Sequence, residues 1–391
     1  MTKRLTKILA LLEKGTRDAQ SKAEKRLAAI ADELTLEEAL DCVAASRRYS
    51  REAPWADKAP AIAELLMKRA GPLVAAEQPA ALLEAYEELN NGGRAAALTA
   101  LSSEPTAGRV GLYVDLVEKY GWPESSYPLI AGALNKRMEF GSLLFPRLLS
   151  TRIPGNLWPS YRLALDYAEG GALPEACEQV LTQHGLTYVA LMEPLQQDDG
   201  VAWRWEPSYQ HLRKNLALIL DLLGHLDRQQ ARQTLESAAG FADARLVYFA
   251  LKSMLRLGIE PETQAIDMVA ASREMRGFLF LLLEEEGSRY RFPEAFRTQT
   301  LLAEWDMVQW LCYPTELARE PDEIELMASG SDEEDEGDLY VFRFRTHPPH
   351  WAAERGWIAG WSGPFEPGEI SARAGGETFS EFQSWDDFVR G

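Results

Sequence analysis

Leu339-Tyr340-Val341-Phe342-Arg343-Phe344-Arg345 alternates with the two-residue period of a strand. Tyr340, Phe342 and Phe344 would share one face, and Val341, Arg343 and Arg345 the other. Strand-like alternation of this kind is nearly absent upstream. There a helical pattern runs as far as Tyr313-Pro314 and stops. The break divides the chain into a helical body, residues 1–313, and a small β-rich C-terminal domain with one helix, residues 314–391.

Around that strand the tail reads as a small antiparallel sheet. Glu323-Ile324-Glu325-Leu326-Met327-Ala328 alternates charged and apolar residues and predicts a first strand. The acidic run Ser331-Asp332-Glu333-Glu334-Asp335-Glu336-Gly337-Asp338, flanked by Gly330, predicts an exposed turn. Thr346-His347-Pro348-Pro349-His350 should end the second strand, because proline cannot donate to a ladder. Gly356-Trp357-Ile358-Ala359-Gly360-Trp361 predicts a third strand ended by Ser362-Gly363-Pro364. Phe379, Phe382, Trp385 and Phe388 have the spacing of an apolar helix face. So small a tail can bury only a limited core, and its place is at the end of the helical body, as a cap.

In the body, apolar residues recur every three or four positions, as in Leu5, Ile8, Leu9 and Leu12, or Leu216, Ile219, Leu220 and Leu223. Gly71-Pro72, Asn90-Asn91-Gly92-Gly93, Gly170-Gly171 and Gly224 punctuate the segments. Pro261 and Pro293 each predict a helix start. Two echoes suggest internal repetition. Trp122-Pro123 returns as Trp158-Pro159, and Leu223-Gly224 returns as Leu257-Gly258. In the second, Ala231, Leu235 and Ala238 align with Ala265, Val269 and Ser272. A period near 34–40 residues belongs to helix-pair repeats. The expected fold is therefore mainly α: a right-handed α-α superhelix of the HEAT/armadillo kind, with a small C-terminal α+β domain. Trp305 and Trp310, five apart on one helix, should face different ways, one into the body and one onto the tail.

Trp310-Leu311-Cys312-Tyr313-Pro314-Thr315-Glu316-Leu317, with Pro321 to Met327 and Phe342-Arg343-Phe344-Arg345 followed by His347-Pro348-Pro349-His350-Trp351, resembles segments of uncharacterised bacterial HEAT-repeat proteins. That resemblance implies an architecture and no activity.

The net charge of −19 is unevenly spread. Residues 1–30 carry eight Lys/Arg against three Asp/Glu, which leaves −24 for the remainder. Residues 319–391 carry seventeen Asp/Glu against six Lys/Arg. Such a field repels phosphate backbones and speeds encounter with a basic protein. The expected partner is therefore another protein, a basic one, rather than nucleic acid or membrane. The three cysteines, Cys42, Cys177 and Cys312, form no CxxC pair, and the N-terminus lacks the apolar core of a secretory signal. A cytoplasmic location is expected.

Motifs of catalysis are missing from the sequence: no phosphate-binding loop, no HExxH, no GxGxxG. Gly360-Trp361-Ser362-Gly363 falls one position short of a nucleophile elbow and reads as a turn. His347 and His350 lack further ligands at metal-site spacing, and the acidic run lacks the calcium-loop pattern. His184, His211 and His225 stand alone in the sequence and read as capping or surface groups. No catalytic residue, metal or cofactor is expected.

The best candidate partner-binding residues are Arg343, Arg345, His347, His350, Trp351, Trp357 and Trp361, since Arg and Trp dominate binding hot spots. The competing reading pairs those arginines with nearby acids and buries the tryptophans. Three functions are thus in play. The first is a non-enzymatic repeat protein binding a partner on a concave face, an acidic inhibitor or immunity-type protein being its sharper form. The second is a repeat enzyme acting on nucleic-acid bases or a bound chromophore. The third is a membrane-surface protein using the first helix with Lys3, Arg4, Lys7 and Lys14, disfavoured because that helix lacks Trp and Phe.

Overall fold

The computed structural model describes residues 3–14, 16–30, 33–51, 59–123, 138–196, 202–226, 228–313, 316–332, 337–347, 356–373 and 383–390. It divides into two units, Met1–Leu181 and Thr182–Gly391, which are taken separately.

The first unit is helical throughout its described residues. Lys3–Leu12 buries Leu5, Ile8, Leu9 and Leu12, the stripe its three- and four-residue spacing dictates, and packs on Arg17–Ile30. Leu36–Arg51 packs on Ala59–Glu77, which packs in turn on Asn91–Ser103. Gly71-Pro72 does not end a helix, since Ala59–Glu77 runs through both residues. A Cβ on Gly71 would sit 3.0 Å from the Ala100 methyl, so the glycine permits two helices to approach closely there. Asn90 caps Asn91–Ser103, its side chain accepting from the Gly93 amide at 2.8 Å. Ala107–Tyr120, Gly141–Leu149 and Leu157–Gly170 follow, each packed on the next. Trp122 and Trp158 are not equivalent: one follows the end of a helix, the other lies in a first turn.

In the second unit each helix packs on the next or next but one. Pro207–Leu223 lies against Ala244–Arg256, which also packs on Gln229–Ala239 and Thr263–Ala271. Arg276–Glu285 and Gln299–Leu311 continue the series. Gly224 and Gly258 follow the ends of two neighbouring helices, the first and third of this series. Ala231 and Leu235 are buried in one intervening helix, Ala265 and Val269 in the next, and Ser272 ends it. The second echo therefore marks matching positions. Polar bonds between the two neighbours span a similar interval: Ser253 Oγ donates to the Leu220 carbonyl at 2.8 Å, and Lys252 reaches Asp221 at 2.7 Å. The proline-led starts shift slightly. Helix Thr263–Ala271 begins two residues after Pro261. Pro293 leads only the short turn Glu294–Phe296, and Thr298 caps the helix proper.

Gly277 shows how tight this packing is. A Cβ there would lie 2.2 Å from Cε3 of Trp305, whose ring is pinned by an Nε1 bond to the Glu274 carbonyl at 3.1 Å. We expect Gly277→Ala to destabilise the unit by about 1–3 kcal/mol, because a pinned ring cannot swing aside. Denaturant unfolding measures this, and an unchanged midpoint would refute it.

Four antiparallel strands form one sheet in the order β1 (Glu323–Asp332), β2 (Gly337–Arg345), β3 (Ile358–Phe365), β4 (Gln383–Ser384). Among the described residues no strand precedes it. β1 and β2 extend further than their sequence suggests, with Gly330 opposite Leu339 and Asp332 opposite Gly337. β3 runs through Gly363-Pro364 instead of stopping at them. These two residues oppose the single Leu339, forming a bulge in which the proline needs no ladder donor. Gly363, at φ +134°, sits where a Cβ would meet the Asp338 carbonyl at 2.6 Å. Tyr340, Phe342 and Phe344 turn inward, as their alternation predicts, and join Ile324, Ile358 and Phe365 against Ala303, Met307, Val308 and Leu311. Sheet and last long helix thus share one core. Trp305 is buried in the helices, and Trp310 packs against this shared core, which matches the expected division of labour. Trp385 and Phe388 stack within the terminal helix Trp385–Arg390, while Phe379 and Phe382 lie outside the described residues.

Candidate functional site

Because Tyr340, Phe342 and Phe344 occupy the inner face, Val341, Arg343 and Arg345 point outward. The register sets Glu325 opposite Arg343 and Glu323 opposite Arg345. Arg345 grips Glu323 with two parallel bonds, 2.8 and 2.7 Å, and Arg343 Nε reaches Glu325 at 2.8 Å. His347 Nε2 lies 3.1 Å from the same Glu323. Hydrogen bonds from Arg345 and then His347 hold the Glu323 carboxyl below its usual range. Across the other edge of β2, both guanidinium carbons stand 4.5 Å from the centre of the Trp357 ring. Trp357 is thus clamped under two cations that are themselves held by two carboxylates.

Four of the seven residues read from the sequence therefore converge: Arg343, Arg345, His347 and Trp357. Trp361 lies on the same face, half-buried opposite Val341, one Cβ alternation beyond Ala359. His350 and Trp351 lie outside the described residues. The arginines do pair with acids, yet Trp357 and Trp361 are only half-buried, so the face stays partly open to solvent. Leu326 and Met327, at the bulge of β1, are exposed.

Burial pushes the Cys42 and Cys177 thiols up to about 12 and moves Cys312 in the same direction, so none is a ready thiolate. Ser362 is fully buried and donates to Asp306 at 2.6 Å, a tie between sheet and helix. Among the described residues no group of three His, Cys, Asp or Glu could hold a metal. Nor is any described helix long and apolar enough to cross a membrane. His225 does not stand alone: it lies 2.9 Å from Arg256 Nη1, and burial, then that cation, push its pKa down.

A second polar cluster escaped the sequence reading. Arg213, 1% exposed, lies on the buried stripe of its helix between Tyr209 and Leu216. It holds Asp243 at 2.7 and 2.8 Å and Glu274 at 3.1 and 2.6 Å. Tyr209 donates to Asp243 at 2.8 Å, and Asp243 also caps helix Ala244–Arg256 through the Arg245 amide. Arg213 and Tyr209 hold the Asp243 carboxyl low despite its burial. Arg276 repeats the device, donating to the Ala270 and Leu301 carbonyls and to Glu304, each at 2.9 Å. A capping Asp243 is readable from sequence. A buried Arg213 shows only as a polar gap in an apolar stripe.

Compared with protein-family models, with curated proteins and with solved structures, the chain gave no significant match.

Proposed function

We propose that the chain is a non-enzymatic helical-repeat protein, a HEAT-like right-handed superhelix, that binds a basic partner protein along its concave surface with the C-terminal sheet adding contacts, as an inhibitor or immunity-type protein would. Sequential helix packing and polar bonds at repeat-like intervals support the architecture. One observation carries the binding reading. Trp357 lies under Arg343 and Arg345 on a solvent-facing sheet, within the most acidic stretch of the chain. A pre-ordered aromatic with paired charges loses little entropy on binding, which is what makes a hot spot. The surrounding acidity steers a basic partner toward it.

Affinity capture from the protein's own cell, followed by association kinetics with the captured protein, tests this. We expect a basic partner whose on-rate falls on the order of tenfold or more from low to high salt. Trp357→Ala should weaken binding by on the order of tenfold or more with no change in thermal midpoint. A partner that is not basic, or binding indifferent to both salt and Trp357, would overturn the proposal.

A further inference from the structure

The first two helices enclose a hollow of about 420 Å³, lined by Lys3, Arg4, Lys7 and Arg26 over a floor that includes Ile8 and Ile30. Arg4 is already engaged, by Glu33 at 3.0 Å and Glu38 at 3.1 Å. Lys3, Lys7 and Arg26 are exposed and make no ion pair or hydrogen bond among the described residues. Lys3 and Lys7 stand four apart on one helix, a spacing at which like charges repel. Three cations without an acidic partner among the described residues, facing one hollow, stand out in a chain of net charge −19.

Which anion follows from the surroundings. Leu5, Ile8, Leu9 and Leu12 of the first helix are buried in the fold, which leaves only Ala10 and part of Leu11 outside, too little apolar surface to lay into a bilayer. Three free cations neutralise few phosphates, and the rest of the chain would repel a nucleic-acid backbone. A short acidic peptide fits the charge. The chain supplies one: Asp332, Glu333, Glu334, Asp335, Glu336 and Asp338 place six carboxylates in seven residues. We propose that the hollow formed by Lys3, Lys7 and Arg26 binds the acidic run Ser331–Asp338 of a second copy of this chain. The contact is heterologous, a hollow on one copy taking a segment of another. It does not depend on the partner binding proposed above, and its failure leaves that reading untouched.

Sedimentation equilibrium of the full chain is the direct test. At low salt the average mass should rise with protein concentration, and at high salt it should return to the monomer, because exposed charges are then screened. A labelled peptide of residues 329–340 should bind the full chain, and Lys7→Glu/Arg26→Glu should weaken that binding by on the order of tenfold or more. The variant should also be monomeric at low salt, as should Glu333→Lys/Glu334→Lys/Asp335→Lys. Mixing the two variants matches an acidic hollow with a basic run, and association should return. All substituted positions in the hollow are exposed, and circular dichroism checks that each variant is folded. A wild-type chain that stays monomeric at every concentration in low salt, association that survives Lys7→Glu/Arg26→Glu, or a mixture that fails to reassociate would each overturn the proposal.

Discussion

Arg213→Ala should cost about 3–5 kcal/mol, the usual penalty for removing one member of a buried ion network. Two carboxylates depend on this guanidinium. Asp243 and Glu274 are almost wholly buried, and Arg213 supplies two bonds to each. Without it, Asp243 keeps the Tyr209 hydroxyl and its capping amide, while among the described residues Glu274 keeps only Arg245, at 3.4 Å, for its carboxylate. Buried carboxylates left without cations must take up protons or draw in water, and either weakens the packing of three alternate helices, Pro207–Leu223, Ala244–Arg256 and Arg276–Glu285. Denaturant unfolding of wild type and variant measures the loss. The two units need not unfold together, so Trp305, which donates to the Glu274 carbonyl, is the fluorophore to follow.

The origin of the loss can be separated from simple cavity formation. Arg213→Met/Asp243→Asn/Glu274→Gln removes every charge while keeping bulk. If the penalty of Arg213→Ala comes from stranded carboxylates, this triple variant should recover most of it. A triple variant as unstable as Arg213→Ala would show that volume, and not charge, matters at this position.

Why Arg213 was invisible to sequence reading, when Arg343 was not, is a matter of distance along the chain. Arg343 sits in a strand whose alternation fixes its face, and the acids that hold it lie in the adjacent strand with the same alternation. Arg213 interrupts an apolar stripe, and its partners lie 30 and 61 residues away. Only the packing of alternate helices brings those positions together. The same contrast governs the errors of punctuation. Gly71-Pro72 and Gly363-Pro364 carry strong local signals to stop, and each is overridden by a tertiary circumstance: a close helix approach in one case, a bulge in the other. Gly330 and Ser331 look like turn residues beside an acidic run, yet pairing with Leu339 and Asp338 draws them into β1. The clamp on Trp357 was legible as a list of residues but not as a geometry, since β3 joins β2 through a connection whose register the sequence does not set.

Glu320→Gln should stabilise the second unit at alkaline pH and do nothing at acid pH. Glu320 is 6% exposed, and its carboxyl accepts no hydrogen bond among the described residues. Burial raises its pKa to about 7, and Glu274 adds to the rise, against the opposing pull of Arg273, Arg204 and Arg213. In the unfolded chain a glutamate titrates near ~4.3. Between those two values the native state holds a proton that the unfolded state has lost, so stability falls as pH rises through this window. Above about pH 7 the full cost of an ionised, unpartnered carboxylate remains. One pKa unit corresponds to ~1.4 kcal/mol, so Gln, which cannot ionise, should gain about 1–3 kcal/mol at pH 8 and close to nothing near pH 4. Asp243, held low, produces the opposite trend, losing stability on acidification, and is common to both proteins. Subtracting the two pH profiles therefore isolates Glu320. A difference that stayed flat across this range would mean that Glu320 is ionised in the native state at a normal pKa, paired with one of the surrounding arginines.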